Sequence, residues 1–306
     1  MTLTAILHSR NMLKAASTGL LLTFAVSNAW AGGDQPPDPP VLFPPAIAAR
    51  LTAGYPGIVK GLEGNDLVFA DGARLPLDDG KGVKPAAEWL ESPDIKDMFR
   101  HAYPWGAASM TPARDFDPGR ARNEAFLTKV YGDCRKKQVE KNLINVVWLA
   151  KKWGAKLQFS RINGAAEHLK EVSVELDTLA ERFNVDLFPT AGSYNCRVVA
   201  GTKALSAHSF GIAIDIALKH SAYWRWDGAK PDGTVKYTNQ IALEIVNIFE
   251  KHGFIWGGRW YHYDTMHFEY RPELLVPEAA AETVPQFAAE AAPLASTPAL
   301  QSEPVK

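Results

Sequence analysis

The stretch Ser206–Ile216 reads SAHSFGIAIDI, and its second half alternates between isoleucine and other residues. Successive side chains of a β-strand point to opposite faces, so the isoleucines would lie on one face and Asp215 with its alanine neighbours on the other. A carboxylate in so apolar a strand is costly unless it is paired or binds a metal. The small neighbours leave room for such a group. This stretch therefore predicts a buried strand that carries a functional carboxylate.

A second stretch, Asp264–Tyr270 (DTMHFEY), also alternates. If it pairs with residues 212–217, His267 can approach Asp215 across the two strands. His208 lies just upstream of the first strand, so two imidazoles and one carboxylate would converge. Such a set suits a catalytic zinc ion and leaves its fourth position to water. Spacing alone leaves open the alternative that the histidines are ordinary packed residues and the aspartate caps a turn.

A zinc site of this kind needs a general base. Zinc lowers the pKa of a bound water to about 7, and a neighbouring carboxylate can take the proton. Asp264 lies three residues before His267, near the entrance of the strand. Glu269 competes for the role, because it shares a strand face with His267.

Two spaced motifs resemble those of the zinc peptidases that cut bacterial cell-wall peptides. This family comprises D-alanyl-D-alanine carboxypeptidases, D-Ala-D-Ala dipeptidases and L-alanyl-D-glutamate endopeptidases. The resemblance runs from about Gly192 to Tyr270, and its motifs are Ser206-x-His208-x-x-Gly211-x-Ala213-x-Asp215 and Asp264-x-x-His267-Phe268-Glu269.

The resemblance implies one Zn²⁺ per chain, bound by His208, Asp215 and His267. It also implies that Asp264 is the general base. The carboxypeptidase and dipeptidase branch usually has glutamate at this position, so the aspartate weakly favours the endopeptidase branch. In the same way, the resemblance implies that Arg197 stabilises an oxyanion or a substrate carboxylate, a role that suits a permanently charged guanidinium. A structural salt bridge is the alternative for Arg197.

Further residues near the motifs are candidates for substrate binding. Ser206 would hydrogen-bond within the site or cap a turn, His262 could hydrogen-bond an intermediate, and Glu269 lies beside a ligand. Four tryptophans between the motif halves could line a groove or pack in the core: Trp224, Trp226, Trp256 and Trp260.

Composition divides the chain into five expected segments. They are a signal peptide (1–31), a Pro-rich linker (32–50), a small β element (51–84), a zinc peptidase domain (85–277) and a disordered Ala/Pro-rich tail (278–306). The signal peptide is predicted from a basic flank, a short apolar run and the small-residue site Ala29-Trp30-Ala31.

We expect an α+β fold in which a small antiparallel sheet carries the zinc site and is flanked by helices. Apolar periodicity predicts helices over residues 165–183 and 239–252. The run Asn142–Ala150 is typical of a buried strand, and Asp71-Gly72 predicts a hairpin turn.

The two cysteines, Cys134 and Cys196, predict a disulfide if the protein is exported, although two separate thiols are the alternative. A net charge of −1 gives no electrostatic case for binding nucleic acid or an anionic membrane. We expect a monomer in the periplasm or cell envelope, with no stable membrane insertion after signal cleavage.

The sequence thus predicts an exported zinc metallopeptidase that acts on peptidoglycan peptides, as a D-Ala-D-Ala carboxypeptidase or an endopeptidase. The alternative is a non-catalytic peptidoglycan-binding module that keeps the peptidase fold. Such a module has no need of Asp264 or Arg197.

Overall fold

The computed structural model describes residues 44–107, 111–228, 230 and 233–276. The predicted signal peptide (1–31), residues 32–43 of the predicted linker and the predicted tail (278–306) lie outside these residues. Within the described ranges, no helix is both long and apolar enough to cross a membrane.

The described part of the chain mixes short helices and short strands. Its α-helices are α1 (Pro44–Gly54), α2 (Ala86–Glu91), α3 (Glu124–Tyr131), α4 (Ala165–Leu176), α5 (Asn184–Leu187) and α6 (Leu243–Lys251). Its strands are β1 (Val59–Glu63), β2 (Asp66–Phe69), β3 (Arg74–Pro76), β4 (Leu143–Trp148), β5 (Ala155–Ser160), β6 (Ala213–Asp215), β7 (Phe254–Trp256) and β8 (His267–Tyr270). Two 3₁₀ helices, Ala207–Phe210 and Gly257–Arg259, lie next to the candidate site.

The strands form three small antiparallel sheets, with orders β1-β2-β3, β4-β5 and β6-β8-β7. The expected α+β class is confirmed. The Asp71-Gly72 turn joins β2 to β3 as predicted, and Gly72 has a φ of 82°, which favours glycine.

The β6-β8-β7 sheet is the one that positions the candidate site. In β8, Phe268 lies opposite Ile214 of β6 and Trp256 of β7. The Phe268 ring also stacks on Phe249 of α6, with ring centroids 3.8 Å apart. These side chains are buried, and burying each one stabilises the fold by about 1.5–3 kcal/mol. Helix α6 thereby covers one face of the sheet. Because side chains alternate along a strand, the alternate side chains lie on the opposite face.

Helix α1 begins inside the segment predicted to be a linker. Proline is tolerated in the first turn of a helix, where its missing N–H has no intrahelical partner, so Pro44 and Pro45 do not prevent the helix. Ile47 and Leu51 project from α1 into the main core. The linker prediction is therefore wrong for residues 44–50, because apolar residues with helical spacing follow the prolines.

The two long predicted helices are shorter than expected because polar side chains end them. Helix α4 ends at Leu176, where the Asp177 carboxylate accepts a hydrogen bond from Lys151 N at 2.9 Å. Helix α6 starts only at Leu243, because Asn239 Oδ1 accepts from Ile241 N at 2.8 Å and forms a local turn. Short polar side chains compete with the helical backbone in this way.

Strand β4 is half-exposed instead of buried. Ile144 and Val147 are 38% and 43% exposed, respectively, while Val146 and Trp148 are buried. The reason is that β4 and β5 form a two-stranded sheet against which α4 packs. Side chains alternate along the strand, so Val146 and Trp148 face the core while Val147 points away from it.

Cys134 and Cys196 form a disulfide with an S–S distance of 2.04 Å. The predicted pairing is confirmed. The cross-link joins the segment after α3 to the loop that carries Arg197, and it closes a loop with a sequence separation of 62.

Removing the disulfide should destabilise the protein, because the unfolded chain gains conformational freedom. Replacing both cysteines with alanine should lower the free energy of unfolding by about 2–4 kcal/mol. Urea unfolding of the oxidised wild type, the reduced wild type and the double variant measures this loss. Equal midpoints for all three proteins would show that the cross-link does not stabilise the fold.

Candidate metal centre

Two strands and one 3₁₀ helix bring His208, Asp215 and His267 together. In the β6–β8 register Asp215 lies directly opposite His267, and His267 Nδ1 is 3.0 Å from Asp215 Oδ1. His208 Nε2 approaches the same oxygen to 3.2 Å. One potential ligand atom from each residue lies within 4.8 Å of the other two. The predicted strand pairing and its convergence of three side chains are observed.

His208 is held by the turn that precedes β6. Its Nδ1 atom makes a short hydrogen bond with the backbone carbonyl of Ser193. Gly211 ends the 3₁₀ helix with a φ of 68°, and a Cβ atom there would lie 2.7 Å from the Leu143 side chain. Glycine is therefore required both for the backbone conformation and for the close contact. This turn directs His208 Nε2 toward Asp215.

The donor set of this centre fits a metal ion. A carbonyl oxygen can only accept, so the contact with Ser193 O places the imidazole proton of His208 on Nδ1 and leaves a lone pair on Nε2. That buried Nε2 atom lies 3.2 Å from Asp215 Oδ1 but makes no hydrogen bond of suitable geometry. Burial raises the pKa of Asp215, but the imidazoles of His208 and His267 hold it well below its usual range. An ionised carboxylate between two imidazoles is a set of ligands typical of zinc.

His267 lies between two carboxylates. Its Nδ1 atom faces Asp215, and its Nε2 atom lies 3.4 Å from Glu269 Oε2. Burial lowers the pKa of His267, yet hydrogen bonding to the two carboxylates raises it to about 9 in the metal-free protein. Metal binding through Nδ1 must therefore displace a proton, while Glu269 is placed to orient the imidazole from its other side.

The Glu269 carboxylate is paired with two arginine side chains. Its carboxylate accepts from Arg122 Nε at 2.7 Å and from Arg271 Nη1 at 3.2 Å. Burial raises the pKa of Glu269, but Arg122, His267 and Arg271 together hold it below its usual range. A carboxylate so strongly held in its ionised form is a poor proton acceptor.

Asp264 has the opposite environment. Its Oδ1 atom is buried without a hydrogen-bond partner. Burial, with a smaller contribution from Asp215, raises the pKa of Asp264 to about 6. A general base works best when its pKa is near the operating pH. This difference favours Asp264 over Glu269 as the base.

A tight backbone contact places Asp264. Asp264 N donates to Gly257 O at 3.0 Å, and His267 N donates to Asp264 O at 3.2 Å. A Cβ atom on Gly257 would lie 2.4 Å from Asp264 O, so the approach requires glycine. On its other side Asp264 forms an isolated β-bridge with Tyr223.

Arg197 is solvent-exposed and is not part of the converging set. Its backbone N donates to Ser209 Oγ at 2.9 Å, and its carbonyl accepts from Ser206 N at 3.0 Å. Burial raises the pKa of Tyr223, and the charges of Arg225, Arg120 and Arg197 oppose that shift.

Ser206 and His262 have well-defined surroundings. Ser206 is buried at the start of the 3₁₀ helix, but its side chain makes no capping hydrogen bond. His262 Nδ1 is 2.7 Å from Asp117 Oδ2, and its backbone N donates to Asp117 Oδ1 at 3.0 Å. The His262 ring also packs edge-on against Trp224, with centroids 4.7 Å apart.

The four tryptophans divide between the two expected roles. Trp256 and Trp260 are buried in the core, whereas Trp226 is exposed and Trp224 is half-buried. Only Trp224 and Trp226 therefore remain as candidates for a surface that contacts a substrate.

Sequence reasoning missed Asp117, Arg120 and Arg122. Arg122 anchors Glu269, and Arg120 pairs with Asp117 at 3.2 Å. Both arginines lie just before α3, which begins at Glu124 after the Asn123 cap. Cations just before a helix N-terminus oppose the helix dipole, and this is the signal that could have identified them.

The family model described as D-alanyl-D-alanine carboxypeptidase matches residues 200–270. The resemblance to this peptidase family is confirmed. The matched segment contains the three converging residues and Asp264, and it begins just after Arg197. No curated protein and no solved structure matches the chain significantly.

The centre should bind zinc through His208. Replacing His208 with alanine should remove one zinc equivalent per chain, because the remaining pair is too few for tight binding. Metal analysis of purified wild type and variant measures the difference, with Asp264→Asn as a control that should retain the ion. Equal zinc contents in wild type and His208→Ala would contradict this assignment.

The carboxylates of Glu269 and Asp264 should contribute differently to the stability of the fold. Glu269→Gln leaves the Arg122 guanidinium without its carboxylate and should lower the free energy of unfolding by about 3–5 kcal/mol. Asp264→Asn removes no hydrogen bond to Oδ1 and should change stability far less. Chemical denaturation of both variants gives the comparison, and an Asp264→Asn loss as large as that of Glu269→Gln would be inconsistent with these environments.

Proposed function

We propose that this protein is an exported zinc metallopeptidase that hydrolyses peptide bonds in peptidoglycan stem peptides. The match to the carboxypeptidase family supports a peptidase. The observation that carries the finer proposal is the buried convergence of His208, Asp215 and His267 beside the unpartnered carboxylate of Asp264.

The residues of the centre would have different roles in the reaction. His208 Nε2, Asp215 and His267 Nδ1 would hold the zinc ion, while Ser193 O and Glu269 orient the two imidazoles from behind. When bound, zinc supplies Lewis acidity and lowers the pKa of water. Asp264 accepts the proton that the attacking water loses and can pass it to the leaving amine. Its Oδ1 atom is buried, which keeps bulk water away from that proton.

Arg197 and Arg120 are the candidates to bind negative charge of the substrate. Both act electrostatically on Tyr223, which forms a β-bridge with Asp264, and Arg120 is also paired with Asp117 at 3.2 Å. Stem peptides carry free carboxylates, and a developing oxyanion is also negative. A guanidinium recognises either group through paired hydrogen bonds. This supports the role of Arg197 in catalysis and adds Arg120 as a second candidate.

Export is supported by the disulfide, because such bonds persist in oxidising compartments. With the predicted signal peptide, it favours the periplasm or cell envelope, where peptidoglycan lies. The near-neutral net charge of −1 gives no electrostatic support for nucleic acid as a partner.

Loss of the base should abolish most turnover while leaving the metal in place. Asp264→Asn preserves shape, so zinc content and folding should hold while peptide cleavage falls by about 10²–10⁴-fold. Glu269→Gln is the comparison: any loss there should accompany lower stability or a lower zinc content, because Glu269 pairs with Arg122 and contacts the imidazole of His267. Full activity of Asp264→Asn would show that another group takes the proton.

Digestion of purified peptidoglycan tests the substrate class. Product masses distinguish release of terminal D-alanine from cleavage within or between stem peptides. We expect the wild type to release one of these products and the His208→Ala variant to release none. A wild type that releases no product but sediments with intact peptidoglycan would instead support a non-catalytic binding module.

A further inference from the structure

A second group of metal-type side chains lies where the α4 helix meets the end of α6. We call His168, Glu171, His252 and Glu175 the α4–α6 cluster. None of the four belongs to the centre formed by His208, Asp215 and His267. His168, Glu171 and His252 each offer one ligand atom within 4.8 Å of the other two.

The three potential ligand atoms lie close to one another. Glu171 Oε2 lies 3.2 Å from His168 Nδ1 and 3.0 Å from His252 Nδ1. Zinc–ligand bonds of about 2.0–2.2 Å in a tetrahedron separate neighbouring ligand atoms by about 3.3–3.6 Å. Small side-chain adjustments would therefore let one ion contact all three atoms. The same nitrogen–oxygen spacings, 3.2 and 3.0 Å, occur around Asp215.

His252 has a carboxylate on each side of its ring. His252 Nε2 lies 2.7 Å from Glu175 Oε1, which also accepts from Lys251 Nζ at 2.7 Å. His252 Nδ1 lies 3.0 Å from Glu171 Oε2 on the other side. The ring is therefore held from its Nε2 side, and its Nδ1 atom and the Glu171 carboxylate face each other at a distance suited to two ligands of one ion.

The surroundings favour a metal ion. Glu175 occupies the place of an outer carboxylate that orients a metal-binding imidazole through its other nitrogen. His252 follows the last residue of α6, and a cation is stabilised at the C-terminal end of a helix. The His168 ring is held by stacking on Tyr270, with centroids 5.2 Å apart.

The exposure of the cluster allows an ion to enter from solvent. The His252 side chain is 11% exposed, while those of His168 and Glu171 are 40% and 57% exposed. One ligand is therefore rigidly held, and the two from α4 border the solvent. A half-open site of this kind leaves a fourth position for water.

We propose that the α4–α6 cluster binds a second divalent metal ion of the zinc class, with His168, Glu171 and His252 as ligands. The ion joins α4 to the C-terminal end of α6. Because α6 stacks on β8 through Phe249 and Phe268, the second ion stabilises the helix that supports the first centre.

Zinc titration of the full-length protein in a His208→Ala background isolates this site from the first one. Calorimetry with zinc chloride should show one remaining equivalent, and zinc should raise the melting temperature. Adding Glu171→Gln or His168→Ala should weaken that binding at least 10-fold and remove the thermal shift. His220→Ala is the matched control, because His220 pairs with Asp186 at 2.8 Å and joins no three-residue metal group in the described ranges.

The His208→Ala protein would overturn the proposal if it bound no zinc and showed no zinc-dependent thermal shift. The same conclusion would follow if the remaining equivalent survived both Glu171→Gln and His168→Ala. Neither result bears on the peptidase proposal, because that proposal depends on zinc bound through His208 and on peptide cleavage by proteins with the first centre intact.

Discussion

The opposed pair Asp215 and His267 is the contact on which the candidate site depends. The two residues face each other across β6 and β8, and their side chains approach to 3.0 Å. Side chains alternate along a strand, so a slip of one residue would turn the ligands into the core and the apolar residues out of it. The pairing of Ile214 with Phe268, and the stacking of Phe268 on Phe249, oppose such a slip. Core packing thus sets the register that assembles the centre.

The chemistry of the site follows from two carboxylates in different surroundings. Glu269 is surrounded by cationic groups and stays ionised, which suits it to orient His267. The Oδ1 atom of Asp264 is buried without a hydrogen-bond partner, and the pKa of Asp264 is raised to about 6. Pairs of titratable groups whose pKa values are pushed apart by their environments commonly divide acid–base and structural roles. The arrangement therefore supports our proposal that Asp264 transfers the proton.

The convergence of His208, Asp215 and His267 and the α+β class were predictable from sequence because they depend on short-range alternation. Strand periodicity places His267 opposite Asp215 once the two strands pair, and glycine at position 211 marks the bend before β6. The anchoring of Glu269 was not predictable, because its partner Arg122 is 147 residues away in the chain. Residues 44–50 were mistaken for linker since prolines precede an apolar helical pattern, and the ends of α4 and α6 depend on side-chain hydrogen bonds that periodicity does not report.

Anomalous diffraction from crystals of the zinc-loaded protein tests the central claim most directly. The account predicts a zinc peak about 2.0–2.2 Å from His208 Nε2, an Asp215 carboxylate oxygen and His267 Nδ1. The Asp264 carboxylate should lie beside the open coordination position without binding the ion itself. A protein that cleaves peptides and shows no zinc among these three residues would contradict the account.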